Sequence, residues 1–133
     1  MLCSLIAFRY SSPLFRLAKT EDIVSQVSFP NTGPNQVPAV IVMQLTSADQ
    51  LQNGSSSGVL DPAFKRILVV FNCSPLAQTL DASNGGIPAG PWVLHPLQAA
   101  FQHDERVRAG SRMAATGQLV VAPRTTAVFV QPR

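Results

Sequence analysis

Charged side chains are scarce in this sequence. Only 13% of its 133 residues are charged, against about 25% in an average soluble domain. A surface with so few charges is typical of a domain that packs against another, so we expect a neighbouring domain. The 46% of hydrophobic residues suffice for one domain with its own core. The net charge of +3 is spread thinly and forms no basic stripe, so we expect no nucleic-acid partner.

Cysteine and histidine are also rare. Cys3 and Cys73 lie far apart with no second thiol near either, so we expect reduced thiols, with Cys73 a small core residue. His95 and His103 are too few for a zinc site, which needs three or four ligands. We therefore expect no metal and no cofactor. His95 is interpreted as a hydrogen-bonded structural residue at the end of a strand.

Aromatic residues that could stack on sugar rings are few, since Trp92 is the single tryptophan and Tyr10 the single tyrosine. Trp92 is interpreted as a packing residue, with a glucan contact as the alternative, and Phe101 is a similar case. Four other phenylalanines occur in apolar or alternating runs and are assigned to the core: Phe29, Phe64, Phe71 and Phe129.

Long hydrophobic runs are missing as well. Met1–Phe8 is too short to span a bilayer, has no positive residue ahead of it and no small-residue cleavage site after it. We expect neither a signal peptide nor a membrane partner. The spacing of Leu2, Leu5 and Ile6 instead predicts a helix with one apolar face. Ser11-Ser12-Pro13 should end that helix, and Pro13 should begin a second short one.

The rest of the chain predicts short strands separated by turns. Alternation over residues 23–29 predicts the first strand, and the run in residues 37–45 predicts a strand buried on both faces. Further strands are predicted at residues 66–71, 78–80 and 92–96, with a closing hairpin formed by residues 117–122 and 125–130. Residues 97–115 carry the helix formers and most of the local charge. The predicted fold class is all-β: an antiparallel β-sandwich preceded by a short helical segment.

Motifs for catalysis are missing too. No serine stands in a Gly-x-Ser-x-Gly elbow, and no glycine run has the spacing of a phosphate-binding loop. Asp104 and Glu105 are adjacent, so their side chains should diverge. Glu21 with Asp22 is interpreted as capping or flanking the start of the first strand, and Asp61 as a turn former before Pro62. We assign no catalytic residue.

Several motifs occur in an order that resembles one enzyme family. They are Ser11-Ser-Pro-Leu-Phe-Arg-Leu17, Asn31-Thr-Gly-Pro34, Val37-Pro-Ala-Val-Ile-Val-Met43, Phe71-Asn72, Leu94-His-Pro96 and the closing strand after Pro123. Together they resemble the carboxyl end of the pullulanase-type α-1,6-glucosidases, the limit dextrinases of plants and algae in particular. The resemblance implies that residues 1–20 are a remnant of the last helical segment of a (β/α)8 barrel and that residues 21–133 form the C-terminal β-sandwich.

The resemblance also implies a function. Retaining hydrolysis of a glycosidic bond needs two carboxyl groups about 5 to 5.5 Å apart, and the barrel that carries them takes about 250 residues, so the chain alone should not be an enzyme. It is expected to be a non-catalytic structural domain whose partner is the catalytic barrel of a starch debranching enzyme. The relatives imply a plastid location.

Two alternatives remain open. One is an autonomous glucan-binding module that uses Trp92 and Phe101, and the other is a small enzyme that uses His95 or His103. Under the structural interpretation, Leu2, Leu5, Ile6 and Phe8 should form an exposed apolar patch in the free chain. Removal of residues 1–20 should then raise its solubility.

Overall fold

The computed structural model describes residues 2–52, 57–100 and 104–133. Four α-helices, two short 3₁₀ helices and eight strands follow one another along these residues. In chain order they are α1 (Leu2–Ser11), a 3₁₀ helix (Pro13–Arg16), α2 (Thr20–Gln26), β1 (Val27–Ser28), β2 (Val40–Thr46), a 3₁₀ helix (Ala48–Gln50), β3 (Phe64–Asn72), β4 (Gln78–Leu80), β5 (Val93–Leu94), α3 (Pro96–Ala100), α4 (Glu105–Gly110), β6 (Arg112–Met113), β7 (Leu119–Val121) and β8 (Thr125–Pro132).

The strands form two antiparallel sheets. The larger sheet has the order β1-β2-β3-β8-β5 and the smaller one β4-β7-β6. Alternate residues of β2, β3 and β8 point at the smaller sheet, where Val42, Leu68 and Phe129 meet Leu80 and Leu119 in one buried cluster. Burying two inner faces against each other is the arrangement that defines a sandwich. The predicted fold class is confirmed.

A third layer covers the outer face of the larger sheet. Leu14 of the first 3₁₀ helix is buried against Leu45, Ile67, Val69 and Val130 in a second cluster. Phe8 of α1 and Phe15 pack at the edge of the same cluster. The amino-terminal segment is therefore part of the folded unit, since it supplies one wall of this second core.

The break between α1 and the 3₁₀ helix lies where it was predicted. Ser12 has extended backbone angles, and its hydroxyl accepts a hydrogen bond from the amide of Leu14 at 3.1 Å. Pro13 occupies the first position after this N-cap, where its missing amide donor costs nothing. The sequence therefore ends one helix and starts the next within two residues.

The strand predicted over residues 23–29 is wrong, because α2 occupies most of it and β1 is only two residues long. Glu21 and Asp22 lie in the first turn of this helix, not beside a strand. The apolar positions were misleading since Ile23 and Val24 are exposed. The polar Gln26 is the buried residue, and its amide donates to the carbonyls of Thr46 and Val59.

The predicted closing hairpin is also wrong. β7 belongs to the smaller sheet, whereas β8 lies between β3 and β5 in the larger one. Pro123 and Arg124 turn the chain from one sheet to the other, and Arg124 adopts a left-handed φ of 51°. Its amide donates to the carbonyl of Ser74, which fixes the corner.

Several predicted core positions are exposed. The strand at residues 37–45 was predicted to be buried on both faces, yet Ile41 is 55% exposed. Phe29 and Phe71 are exposed too, whereas Phe64 and Phe129 are buried as predicted. Cys73 was predicted as a core residue but is exposed, as is Cys3. The described part of residues 97–115 holds α4, β6 and all of α3 except its first residue. Across the described residues, no helix is both long enough and apolar enough to cross a membrane.

Candidate functional site

A polar cluster lies where the amino-terminal segment meets the sandwich, and it consists of Ser11, Ser12, Asp61 and His95. Ser11 Oγ lies 3.1 Å from His95 Nε2 and donates to the carbonyl of Phe8 at 2.7 Å. Ser12 Oγ donates to Asp61 Oδ2. His95 is fully buried, and the rings of Phe8 and Phe64 lie against it, with centroids 4.7 and 5.5 Å away.

The serine, histidine and aspartate of this cluster resemble a hydrolytic triad in composition but not in geometry. His95 Nδ1 accepts a hydrogen bond from the amide of Leu97 at 3.1 Å, so the proton of the neutral ring is on Nε2. That nitrogen therefore donates a hydrogen bond to Ser11. In a hydrolytic triad the histidine instead accepts the proton of the serine, and its other nitrogen donates to a carboxylate. Asp61 instead accepts from the amides of Ala63 and Phe64.

The electrostatics of His95 agree with a structural role. Burial lowers its pKa from 6.5 to about 4, and the negative charge of Asp61 opposes that shift. The ring is therefore neutral near pH 7, with both nitrogens hydrogen-bonded. His95 is the hydrogen-bonded structural residue that the sequence predicted. The polar cluster fastens α1 and the first 3₁₀ helix to the sheet.

Four other carboxylates are each engaged elsewhere. Hydrogen bonds from Arg133 hold the pKa of Asp49 far below its usual range. Ser83, then Gln118, lower the pKa of Asp81 to about 2. Asp104 caps α4 by accepting from the amide of Val107, and Glu105 pairs with Arg108 on the surface. In the described part of the chain, no three His, Cys, Asp or Glu side chains are grouped so as to hold a metal ion.

The structure places Trp92 inside the sandwich. It is 2% exposed, belongs to the cluster between the two sheets, and donates from Nε1 to the carbonyl of Pro88 at 2.9 Å. Its ring has no face open to a sugar in this conformation. Phe101 and His103, the other residues of the two alternatives, lie outside the described residues.

The structure shows the contacts of two asparagines that stand in the sequence motifs. Asn31 donates to the carbonyls of Val37 and Val40 and accepts from the amide of Val37, so it holds both sides of the loop before β2. Asn72, at the end of β3, donates to three carbonyls, one of which belongs to the last residue of β7 and one to the residue directly after it. Both residues have an amide side chain and lie next to a strand or at its end. This combination is the signal in the sequence that could have indicated these roles.

An apolar surface that the sequence also missed lies beside α1. The outer face of the larger sheet carries three cross-strand rows: Leu45, Ile67 and Val130; Met43, Val69 and Val128; and Ile41, Phe71 and Thr126. The amino-terminal segment covers the first two rows. The third row stays open, and a groove of about 810 Å³ runs between it and α1.

The chain is similar to known proteins along nearly its whole length. Residues 1–132 match the family model described as alpha-1,6-glucosidases, pullulanase-type, C-terminal. The chain is 36% identical over 129 residues to pullulanase 1, chloroplastic, of Arabidopsis thaliana. It is 35% identical over 81 residues, 61% of its length, to the pullulanase of Klebsiella pneumoniae.

Solved structures agree with this similarity. A Klebsiella pneumoniae pullulanase complexed with maltotriose matches 98% of the chain with a TM-score of 0.79 and 29% identity. A pullulanase mutant from Paenibacillus barengoltzii complexed with maltotetraose matches with a TM-score of 0.64 and 27% identity. The chain spans only 13% of the Arabidopsis relative and 11% and 16% of these two structures.

Proposed function

Since this chain belongs to the C-terminal family of the pullulanase-type α-1,6-glucosidases, we propose that it is a non-catalytic domain that stabilises the catalytic part of a starch debranching enzyme. The match carries this proposal: it takes in residues 1–132 but only 13% of the Arabidopsis relative. The activity of the whole protein would be hydrolysis of α-1,6-glucosidic bonds in pullulan, limit dextrin and amylopectin.

The polar contacts support a structural role. In the polar cluster, the serine hydroxyls and Asp61 bond to one another or to backbone, and His95 has both nitrogens occupied. Asp49 and Asp81 likewise serve hydrogen bonds within the fold. These groups would have to break structural contacts before they could attack or protonate a substrate.

A hydrolysis assay tests the non-catalytic part of the proposal. The isolated chain should release no reducing ends from pullulan above a buffer control, while the intact Arabidopsis relative serves as the active reference. Turnover that co-purifies with the folded chain would refute the proposal.

A chimera tests the stabilising part. The matched segment of the Arabidopsis relative is replaced by this chain, and the chimera is compared with the relative cut off before that segment. The chimera should keep its activity through a heat challenge that inactivates the shortened enzyme. Equal inactivation of the two proteins would contradict a stabilising role.

Two further points remain proposals. Residues 1–20 would correspond to the end of the catalytic barrel and residues 21–133 to the sandwich, although α2 begins at Thr20. A plastid location is supported by the chloroplastic Arabidopsis relative, while the other curated relative is bacterial. Immunodetection of the protein in isolated plastids would check the location.

The glucan-binding alternative receives no support from Trp92, because its ring is buried. Affinity electrophoresis in a gel containing amylopectin separates the two functions. Unretarded migration of the chain is expected from the structural domain, and retardation would favour the binding module.

A further inference from the structure

Helix α1 is turned so that its large apolar side chains face away from its own domain. The inward stripe consists of Ser4, Ala7, Phe8 and Ser11, all half-buried. On the other side Leu2, Leu5, Ile6 and Tyr10 are between 48% and 71% exposed. A helix that packed only on this sandwich would point its leucines inward. The outward apolar stripe therefore indicates that a second domain packs against α1.

The open row of the larger sheet continues this surface. Ile41 and Phe71 are direct cross-strand partners on the outer face, and both are exposed. Leu5 and Phe71 line opposite sides of the groove beside α1. Cys73 lines this groove and also a neighbouring depression that contains Phe29 and Ile41. Helix, groove and open row thus form one continuous and mainly apolar surface, with polar side chains such as Gln98 and Arg124 also lining the groove.

We propose that this apolar surface, defined by Leu2, Leu5, Ile6, Ile41 and Phe71, is the face buried against the catalytic part of a pullulanase-type enzyme. The inference rests on the proposed function and names the contact through which it would act. An apolar face of this kind marks a protein interface more often than free surface.

The relatives favour this occupant over a second copy of the chain. The matched segment is 13% of the Arabidopsis relative, which leaves 100 − 13 = 87% of that protein outside it, and the matching family is C-terminal. The chain ahead of the segment therefore enters at α1 in the relatives. A covalently joined body at that point has a high effective concentration beside the outward leucines.

The test uses the chimera with the Arabidopsis relative and paired substitutions. Leu5→Glu and Ile41→Glu place a charge on the apolar surface. Leu76→Glu and Thr79→Glu are their controls, since Leu76 is an exposed leucine of the loop after β3 and Thr79 an exposed β-branched residue in the smaller sheet. The half-life of pullulan hydrolysis at a fixed elevated temperature is the readout.

The surface variants should shorten that half-life at least tenfold, and the controls should leave it within twofold of the starting chimera. In the isolated chain, all four variants should unfold at the same urea midpoint, because the substituted side chains are exposed. Equal half-lives of surface and control variants would overturn the assigned surface while the proposed function stands. A starting chimera no more stable than the shortened enzyme would overturn both.

Gel filtration of the isolated chain tests the other occupant, a second copy of the chain. A dimer that Leu5→Glu converts to a monomer, together with an insensitive chimera, would assign the surface to a second copy and refute the inference. A monomer with a sensitive chimera supports it.

Discussion

At the residue scale, Asn72 shows how one amide can join two sheets. Its Nδ2 donates to the carbonyls of Leu76, Val121 and Ala122 at 3.0 to 3.2 Å. We predict that Asn72→Ala lowers the free energy of unfolding by about 2 to 3 kcal/mol, because buried carbonyls lose their donor.

Asn72→Asp should cost more than Asn72→Ala, since it places a carboxylate against three carbonyl oxygens. Asn35→Asp, at an exposed loop position, is the control and should stay within about 0.5 kcal/mol of the starting protein. Urea unfolding measures all three. If the aspartate variant were as stable as the alanine variant, the donor role of Nδ2 would be wrong.

Ala39 has a left-handed φ of 59°. A residue with a Cβ atom destabilises the folded state by roughly 1 to 2 kcal/mol in that region. Glycine avoids this strain, but its greater conformational freedom in the unfolded chain lowers the free energy of unfolding by roughly 0.5 to 1 kcal/mol. Ala39→Gly should therefore raise the free energy of unfolding by about 0.5 to 1 kcal/mol. Ala77→Gly, at an exposed loop position outside the left-handed region, should instead lower it. The reverse order of the two urea midpoints would contradict the backbone argument.

His95 makes the stability depend on pH in a particular window. Its pKa is lowered from 6.5 to about 4 by burial, so between these values the unfolded chain binds a proton that the folded chain does not. The contribution of His95 to the free energy of unfolding should therefore be fully present above about pH 6.5. It should fall as the pH is lowered towards 4, by at most about 1.4 kcal/mol per pH unit.

His95→Gln is the control for this dependence. Glutamine does not titrate, so the slope between pH 6.5 and 4 should flatten, although the variant is less stable at pH 7. The lowered pKa values of Asp49 and Asp81 act below this window, since the ordinary value is 3.8. A slope unchanged by the substitution would show that other groups carry it.

At the element scale, the first 3₁₀ helix is a wall of the second core. Leu14 is 1% exposed, so Leu14→Ala should lower the free energy of unfolding by about 2 to 4 kcal/mol. Leu5→Ala on the exposed side of α1 is the matched control and should change it by less than about 0.5 kcal/mol. Urea unfolding distinguishes the two, and equal effects would mean that the 3₁₀ helix does not pack as described.

The same packing changes the expected effect of removing residues 1–20. The sequence predicted higher solubility because Leu2, Leu5 and Ile6 would be lost. The structure shows that Leu14 would be lost with them, leaving Leu45, Ile67 and Val130 uncovered. We now expect lower solubility.

The strongly patterned elements were the ones that the sequence predicted well. β2 and β3 are long apolar runs, and the Ser-Ser-Pro break fixed the end of α1. Residues 20–28 were mispredicted because the buried position is Gln26, whose contacts lie on Thr46 and Val59. The corner at Arg124 depends on Ser74. A local sequence pattern cannot reveal contacts with residues so far away along the chain.

The candidate site shows the same limit. The role of His95 was predictable from its place between a strand and Pro96, whereas its contact with Ser11 spans 84 positions of the chain. The open row of Ile41 and Phe71 depends on how far the amino-terminal segment reaches across the sheet. An apolar run cannot indicate that reach, so both residues were assigned to the interior.

At the scale of the whole molecule, the larger sheet is shared by two cores, one against the smaller sheet and one against the amino-terminal layer. We predict a single unfolding transition. Fluorescence of Trp92, which lies in the first core, and far-ultraviolet circular dichroism should give the same urea midpoint. A separate early transition of the helical signal would show that the amino-terminal layer melts independently.

The position of β8 between β3 and β5 has a consequence for the synthesis of the protein. Ile67 pairs with Val130, a separation of 130 − 67 = 63 residues, so β3 waits on the ribosome with one edge unpaired until β8 emerges. β3 is also among the most apolar strands of the chain, and such an edge is prone to join other nascent chains. Translation speed between the two strands and the availability of chaperones should therefore set the yield of folded protein.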